Sequence, residues 1–216
     1  MTSDLFADLA PRGTRLDICA GAVVLRGFAL AAENALFAAL QDIETRAPFR
    51  HFETPGGFRM SVAMTNCGAY GWLSDRAGYR YTATDPASGL PWPALPQTFL
   101  SLAGSAAAAA GFNAFTPDAC LINRYVPGTK LSLHQDKDER DFHAPIVSVS
   151  LGLPATFLFG GARRTDKCVR IALAHGDVVV WGGPARRYYH GVLPLTAGSH
   201  PHSADVRLNL TLRKAR

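Results

Sequence analysis

The chain has 216 residues, 48% of them hydrophobic and 18% charged, which suits a single soluble globular domain and excludes intrinsic disorder. No run approaches the roughly 18 consecutive apolar residues of a membrane span. The start of the chain (Thr2, Ser3, Asp4) has no basic flank or apolar signal core, so a cytoplasmic protein without an export signal is expected. Net charge is +5 and lopsided: residues 1–108 carry 8 Lys+Arg against 9 Asp+Glu (−1), and residues 109–216 carry 14 against 8 (+6), a bias that favours a polyanionic partner such as nucleic acid.

In chain order, residues 21–26 read as a short strand. Residues 31–46 read as a helix, with Leu36, Leu40 and Ile43 at helical spacing and Glu33 in the first turn. Thr54-Pro-Gly-Gly57 is a turn, followed by a strand-like run from Phe58 to Thr65. Residues 66–96, rich in Gly, Pro and aromatics, read as a long structured loop of the kind that carries binding function. Residues 97–110 read as a second helix, stopped by Gly111.

From Asp118 onward the texture changes to short β-rich runs: 118–126, 131–135, 146–152, 155–159, 168–174, 177–181, 188–193 and 206–213, split by Gly and Pro turns. Such runs without intervening helices predict a two-sheet barrel of jelly-roll type, a mainly β (α+β) fold. One domain is expected over residues 1–216, with 1–115 as an N-terminal extension and lid and 116–216 as the catalytic core. The cysteines at 19, 67, 120 and 168 form no Cys-x-x-Cys pair, which argues for free thiols and against a zinc knuckle or a disulfide framework.

His134-Gln135-Asp136 closes one of the predicted strands, where residues i and i+2 share a face, so both side chains can turn to one ion. His190, 54 positions after Asp136, is the best third ligand. Two imidazoles and a carboxylate leave half of an octahedron open for a bidentate cosubstrate and O2, the arrangement of non-haem Fe(II) oxygenases. Alone, His-x-Asp is a weak signal, equally a surface histidine beside a solvated Asp-Lys-Asp-Glu run. The run 207–213 adds weight: Arg207, Asn209, Thr211 and Arg213 share one face, and Leu208, Leu210 and Leu212 the other. Inside a barrel such a polar face needs an anionic occupant, and a dicarboxylate matches the arginine fork. On the strand from Cys120 to Val126, Asn123 and Tyr125 share a face and can donate hydrogen bonds. The competing view is an edge strand with its polar face in water.

The residues together resemble the AlkB family of Fe(II)/2-oxoglutarate-dependent nucleic-acid dealkylases. The likeness rests on Ser61-Val-Ala-Met-Thr-Asn-Cys-Gly68, Pro91-Trp-Pro93, Leu121-Ile-Asn-Arg-Tyr125, Leu131-Ser-Leu-His-Gln-Asp-Lys-Asp-Glu139, His175-Gly-Asp-Val-Val-Val-Trp-Gly-Gly183 and Arg207-x-Asn-Leu-Thr-x-Arg213. It spans nearly the whole chain, lid included, and so points to the bacterial members. It implies a double-stranded β-helix, Fe(II) on His134, Asp136 and His190, and 2-oxoglutarate held by Asn123, Tyr125, Arg207, Asn209 and Arg213, with Arg207 on the distal carboxylate and Arg213 nearer the metal. O2 is the second cosubstrate. The implied reaction oxidises the alkyl group of a base such as 1-methyladenine or 3-methylcytosine and releases succinate, CO2 and formaldehyde, a direct reversal of alkylation damage.

A base must leave the duplex, or come from a single strand, to reach a buried iron. By the same resemblance Trp72 is the stacking wall, His134 the opposite wall, and Met64, Tyr79, Arg80, Tyr81, Asp138 and Arg164 further nucleotide contacts. A carboxylate at Asp138 favours the positive charge that N-alkylation creates. Basic residues at Arg163, Arg164, Lys167, Arg170 and Arg186-Arg187 suit phosphates. The expected partner is alkylated single-stranded DNA, with RNA and duplex DNA as further candidates, and the expected state is a monomer. Phe58, Ala69 and Asp75 depart from the family pattern; Phe58 has no hydroxyl to give a phosphate, and Asp75 would repel one. Oxygenase chemistry on a protein or small molecule, and a zinc-bearing jelly roll without oxidative chemistry, remain as alternatives.

Overall fold

The run Arg207–Arg213 lies in the middle of the molecule. In the computed structural model, which describes residues 11–216, the strands are β1 (Arg15–Cys19), β2 (Ala22–Leu25), β3 (Ala63–Gly68), β4 (Gly71–Asp75), β5 (Gly78–Thr82), β6 (Ala119–Tyr125), β7 (Leu131–His134), β8 (Ile146–Gly152), β9 (Ala155–Phe159), β10 (Val169–Leu173), β11 (Val178–Trp181), β12 (His190–Val192) and β13 (Arg207–Arg213). The helices are α1 (Glu33–Arg46) and α2 (Gln97–Ala109). The expectation about an export signal falls on the first residues of the chain, outside the described ones.

One sheet runs β1-β2-β11-β8-β13-β6-β3, and a second runs β10-β9-β12-β7. Eight of these strands, four per sheet, come from residues 119–213 and build the jelly-roll barrel that the turn spacing predicts. The β1–β2 pair and β3 widen the first sheet: β2 pairs with β11 and β3 with β6, both antiparallel.

Every residue of β13 is buried, so its period-two pattern separates two interiors. Leu208, Leu210 and Leu212 point outward from the barrel into an apolar layer with Leu36 and Ile43 of α1 and Phe99, Ala103 and Ala106 of α2. The alanines of α2 carry little side-chain bulk, which lets the helix lie close on the sheet. Fully burying one of these leucines contributes about 1.5–3 kcal/mol. The opposite face of β13 looks into the barrel, whose apolar lining is aromatic: Phe157, Phe159 and Trp181 sit with ring centroids 5.9–6.2 Å apart.

Two readings of the N-terminal half change. The strand starts at Ala63 and not at Phe58: Thr54–Phe58 forms a hydrogen-bonded turn, closed by an isolated Glu53–Arg59 bridge and by Met60 N–H on Phe52 O. The expected loop over residues 66–96 contains a hairpin, β4–β5, with Trp72 opposite Tyr81 and Ser74 opposite Tyr79. Its turn closes on Gly78 at φ +113°, a conformation that favours glycine. The frequent aromatics and glycines of this stretch hide the alternation by which a strand is recognised. Gly71 allows a close approach, since a Cβ there would lie 2.5 Å from the indole nitrogen of Trp92. Among the described residues no helix is long and apolar enough to cross a membrane.

Candidate active site

His134 ends β7 and His190 begins β12, directly opposite each other in the register, with ring centroids 4.4 Å apart. Gly191 makes this pairing possible: a Cβ there would come within 2.7 Å of the Leu131 carbonyl. Each imidazole is oriented by the chain two residues before it. Nδ1–H of His134 donates to Ser132 O at 2.9 Å, and Nδ1–H of His190 to Tyr188 O at 3.0 Å. A carbonyl can only accept, so both Nε2 atoms carry lone pairs. Those lone pairs converge on one carboxylate: His134 Nε2 stands 3.7 Å from Asp136 Oδ1, and His190 Nε2 3.8 Å from Oδ2. The three donor atoms lie within 4.8 Å of one another.

Electrostatics keep Asp136 and His190 deprotonated. Burial would raise the Asp136 carboxyl, but Arg213, His190, His134 and Arg186 outweigh it and hold the group well below the usual carboxylate range. Burial, with His134 beside it, lowers His190 to about 4, so its ring is neutral near pH 7. Two imidazoles with Nδ1 turned to carbonyls and an ionised carboxylate, half the coordination sphere open, suit Fe(II). Arg213 Nη2 stands 2.8 Å from Asp136 Oδ2, but off the line of a hydrogen bond, so that oxygen keeps a free lone pair.

The barrel face of β13 continues from this centre. Arg207 is 1% exposed, and its guanidinium lies 5.0 Å from the Tyr125 ring centroid. Its Nη2 donates to Ser150 Oγ at 3.1 Å, while Nε and Nη1 have no protein partner. A buried cation with two unused donors and no carboxylate beside it calls for an anion. Asn209 bonds Ser148 Oγ at 2.8 Å, and the Asn123 oxygen is unpartnered. At the other end of the strand Arg213 sits beside Asp136. The arginines thus mark two ends of one trough, which fits a dicarboxylate whose one end reaches the metal ligands.

Above this floor opens a cleft with room for about 510 Å³. Trp72 of β4 and Tyr79 of β5 stack at 5.6 Å and 15° on its wall, and Trp72 Nε1–H donates to Asp138 Oδ2 at 2.8 Å. The three metal-site residues, Asn123, Tyr125, Arg207, Asn209 and Arg213, and also Met64, Trp72, Tyr79, Asp138 and Arg164, all line this one space.

Arg80 and Tyr81 stand off the cleft. Arg80 is engaged by both oxygens of Asp75, at 2.7 and 2.6 Å, and this pairing, with the Ala77 N–H, lowers Asp75 to about 2. The phosphate-repelling charge expected at Asp75 is therefore already neutralised by its neighbour. Tyr81 is buried with its hydroxyl donating to Glu139 Oε1 at 2.7 Å. Burial pushes that phenol well above its ordinary value. Glu139 was read only as part of a motif, yet it is buried and also meets Arg186 at 3.2 Å. It follows three residues after Asp136 in irregular chain, where no periodicity distinguishes a buried acid from a solvated one. Trp181, which the sequence offers only as part of the His175–Gly183 motif, also lines the cleft, its ring centroid 4.9 Å from that of His190 and its indole nitrogen unpartnered.

Comparison with known proteins agrees with this geometry. Residues 21–213 match the model of the 2OG-Fe(II) oxygenase superfamily. The alpha-ketoglutarate-dependent dioxygenases AlkB of Salmonella typhimurium and Escherichia coli are each 58% identical to this chain over 212 residues, covering 98% of it and 97% of each relative. The AlkB homolog of Caulobacter vibrioides is 43% identical, over 87% of this chain and 84% of its own. The solved structure of OsALKBH1 superposes with a TM-score of 0.81 at 28% identity, covering 93% of this chain and 100% of that one. The chain belongs to the AlkB family of the 2OG-Fe(II) oxygenase superfamily, and is a dioxygenase that works with Fe(II), 2-oxoglutarate and O2.

Proposed function

We propose that this enzyme removes alkyl groups oxidatively from damaged nucleic-acid bases of the 1-methyladenine and 3-methylcytosine type. The observation that carries the reading is the aromatic wall of Trp72 and Tyr79, with Asp138 bonded to it, in the same cleft as the His134–Asp136–His190 centre. A flat cationic base fits such a wall: its face stacks on Trp72, and its charge is balanced by Asp138. The fission-yeast relative abh1 is a tRNA demethylase, which agrees with this reading.

On this reading His134, Asp136 and His190 hold Fe(II). Asn123, Tyr125, Arg207, Asn209 and Arg213 hold 2-oxoglutarate, with Arg207 on the distal carboxylate and Arg213 at the metal-side end. Together iron and cosubstrate supply the oxidation of the N-alkyl carbon by O2, with succinate and CO2 as by-products; the oxidised alkyl group leaves as an aldehyde. The protein's own work is positional. Met64, Trp72, Tyr79 and Asp138 hold the base so that its alkyl group faces the centre, and Arg164 meets the strand's phosphate at the mouth. Arg80 and Tyr81 reach the nucleotide only by leaving Asp75 and Glu139, or act through those partners. The aromatic lining and the buried strand β13 keep bulk water from the reacting carbon. The natural substrate is an alkylated single strand of DNA, with RNA and duplex DNA as further candidates, met in the cytoplasm by a monomer whose residues 1–115 form extension and lid and 116–216 the catalytic core.

The test is direct: iron-loaded protein, 2-oxoglutarate and an oligonucleotide carrying 1-methyladenine should release formaldehyde, and failure overturns the reading. Trp72→Ala separates nucleic acid from a protein or small-molecule substrate, because only the former predicts lost binding of the methylated strand. Anaerobic addition of Fe(II) and 2-oxoglutarate should give a weak visible charge-transfer band; its absence would favour a zinc site.

A further inference from the structure

Beyond Lys137 the wall of the cleft continues into a surface patch that has no part in the site described above. Phe142 is 37% exposed, and its ring centroid lies 5.5 Å from the guanidinium carbon of Arg186 and 5.5 Å from that of Arg187. The two arginines play different parts. Arg186 is buried beneath the ring; its charge meets Glu139 Oε2 at 3.2 Å, and its Nη1–H donates to Asp136 O at 3.0 Å. Arg187 is exposed, and among the described residues it has no carboxylate within ion-pair distance. Arg140, Lys137 and His143 are exposed alongside in the sequence and equally without an acid partner. Of the nearby acids, Glu139 meets Arg186 and Tyr81, while Asp141 accepts the His143 backbone N–H at 2.8 Å and stands beyond ion-pair distance of the cations. Gln135, which lines the cleft, donates through Nε2 to the Arg187 carbonyl at 2.5 Å, so the patch is tied to the cleft wall.

An exposed ring on its own is unremarkable on a protein surface. A half-exposed ring with two guanidiniums near it, next to cations with no carboxylate within ion-pair distance, is a different object: a π-face for a base and charges for phosphates, the combination by which single strands are bound without regard to sequence. We propose that Phe142 and Arg187 form a platform for the substrate strand next to the target nucleotide: a neighbouring base stacks on the ring, and its phosphate lies against Arg187 and Arg140. The proposal rests on the nucleic-acid reading and adds to it a path for the strand outside the cleft.

Strand length provides the test, because a trinucleotide fills the cleft whereas an oligonucleotide of about fifteen nucleotides also covers the platform. Anaerobic protein loaded with Fe(II) and 2-oxoglutarate is titrated with each, labelled for anisotropy, and turnover is measured separately. Phe142→Ala should weaken binding of the longer strand about fivefold, methylated or not, and Phe142→Trp should restore it. Arg187→Gln should flatten the slope of log Kd against log salt by about 0.7. Binding and turnover of the methylated trinucleotide should stay within about twofold of wild type in all three variants. Unchanged binding of the longer strand by Phe142→Ala overturns the platform. So does an equal loss on the trinucleotide, which would mean that Phe142 acts through Arg186 on Asp136. Failure of the dealkylase reading looks different: wild type then binds methylated and unmethylated strands alike and releases no formaldehyde.

Discussion

The floor and the rim of the cleft are built on opposite principles. On the floor, β13 and its neighbours present polar groups that are buried and only partly satisfied, as with the two unused donors of Arg207. At the rim, groups of the same kinds satisfy one another: Trp72 stacks on Tyr79 and donates to Asp138, and behind them, off the cleft, Arg80 is closed on Asp75 and Tyr81 on Glu139. On the proposed assignment the floor receives an anion without giving up protein contacts, whereas the rim would exchange its internal contacts for those of a nucleotide, with part of the binding energy going into that exchange.

The sharpest way to separate the two regions is Asp136→Ala. On the proposed assignment it loses iron by well over a hundredfold and abolishes turnover. The rim is left intact, so methylated single-stranded DNA should still bind within about tenfold of wild type. Iron content and anisotropy read the two effects, and a parallel collapse of DNA binding would mean that floor and rim are not independent.

Arg207→Met probes the floor alone and has an unusual sign. Replacing a buried, unpaired cation by an apolar side chain of similar length should leave the ligand-free protein as stable as wild type or more so, by about 1–4 kcal/mol. In wild type, 2-oxoglutarate at a hundred times its Kd should add about 2.7 kcal/mol, some 5–10 °C in Tm for a chain of this size. The variant should lose that shift. A Tm that falls in the variant without ligand would show Arg207 to be structural.

Trp72→Ala reads the rim alone. Losing one stacked base contact costs about 1–3 kcal/mol, so KM for the methylated strand should rise about 5- to 150-fold while the affinity for 2-oxoglutarate is unchanged. The smallest effect is expected for Asp138→Asn, which keeps an acceptor for the Trp72 indole and removes only the charge. A part-exposed charge is worth up to about 1 kcal/mol, so the preference for a cationic over a neutral alkylated base should drop no more than about fivefold. An unchanged preference would leave Asp138 as a support for Trp72.

The same contrast explains what could be read in the sequence. β13 was legible residue by residue, because an inward polar face and an outward leucine face alternate with period two over seven positions. His134 and Asp136 were legible as an i, i+2 pair at a strand end, and the three leucine-type positions of α1 as a helical stripe. The rim was not. Trp72 and Asp138 are 66 positions apart, and no local pattern shows that one donates to the other. The family resemblance gives Trp72 a stacking role but leaves residues 66–96 a loop; the hairpin β4–β5 is visible only in the structure. Glu139 escaped for the converse reason: it sits in a run of charges that looks solvated, and only the tertiary placement of Tyr81 and Arg186 buries it.

The place of β13 in the sheet also bears on how the enzyme is made. It follows all the other described strands in sequence but is inserted between β8 and β6, fifth in the order of the seven. Until residues 207–213 have left the ribosome, the chain carries two half-sheets with open edges facing each other, the state in which strands pair wrongly or with other chains. Neither the cosubstrate trough nor the support of Arg213 beside Asp136 exists before then. On the proposed assignment the cosubstrate trough and its metal-side support are completed only by the last strand to be made.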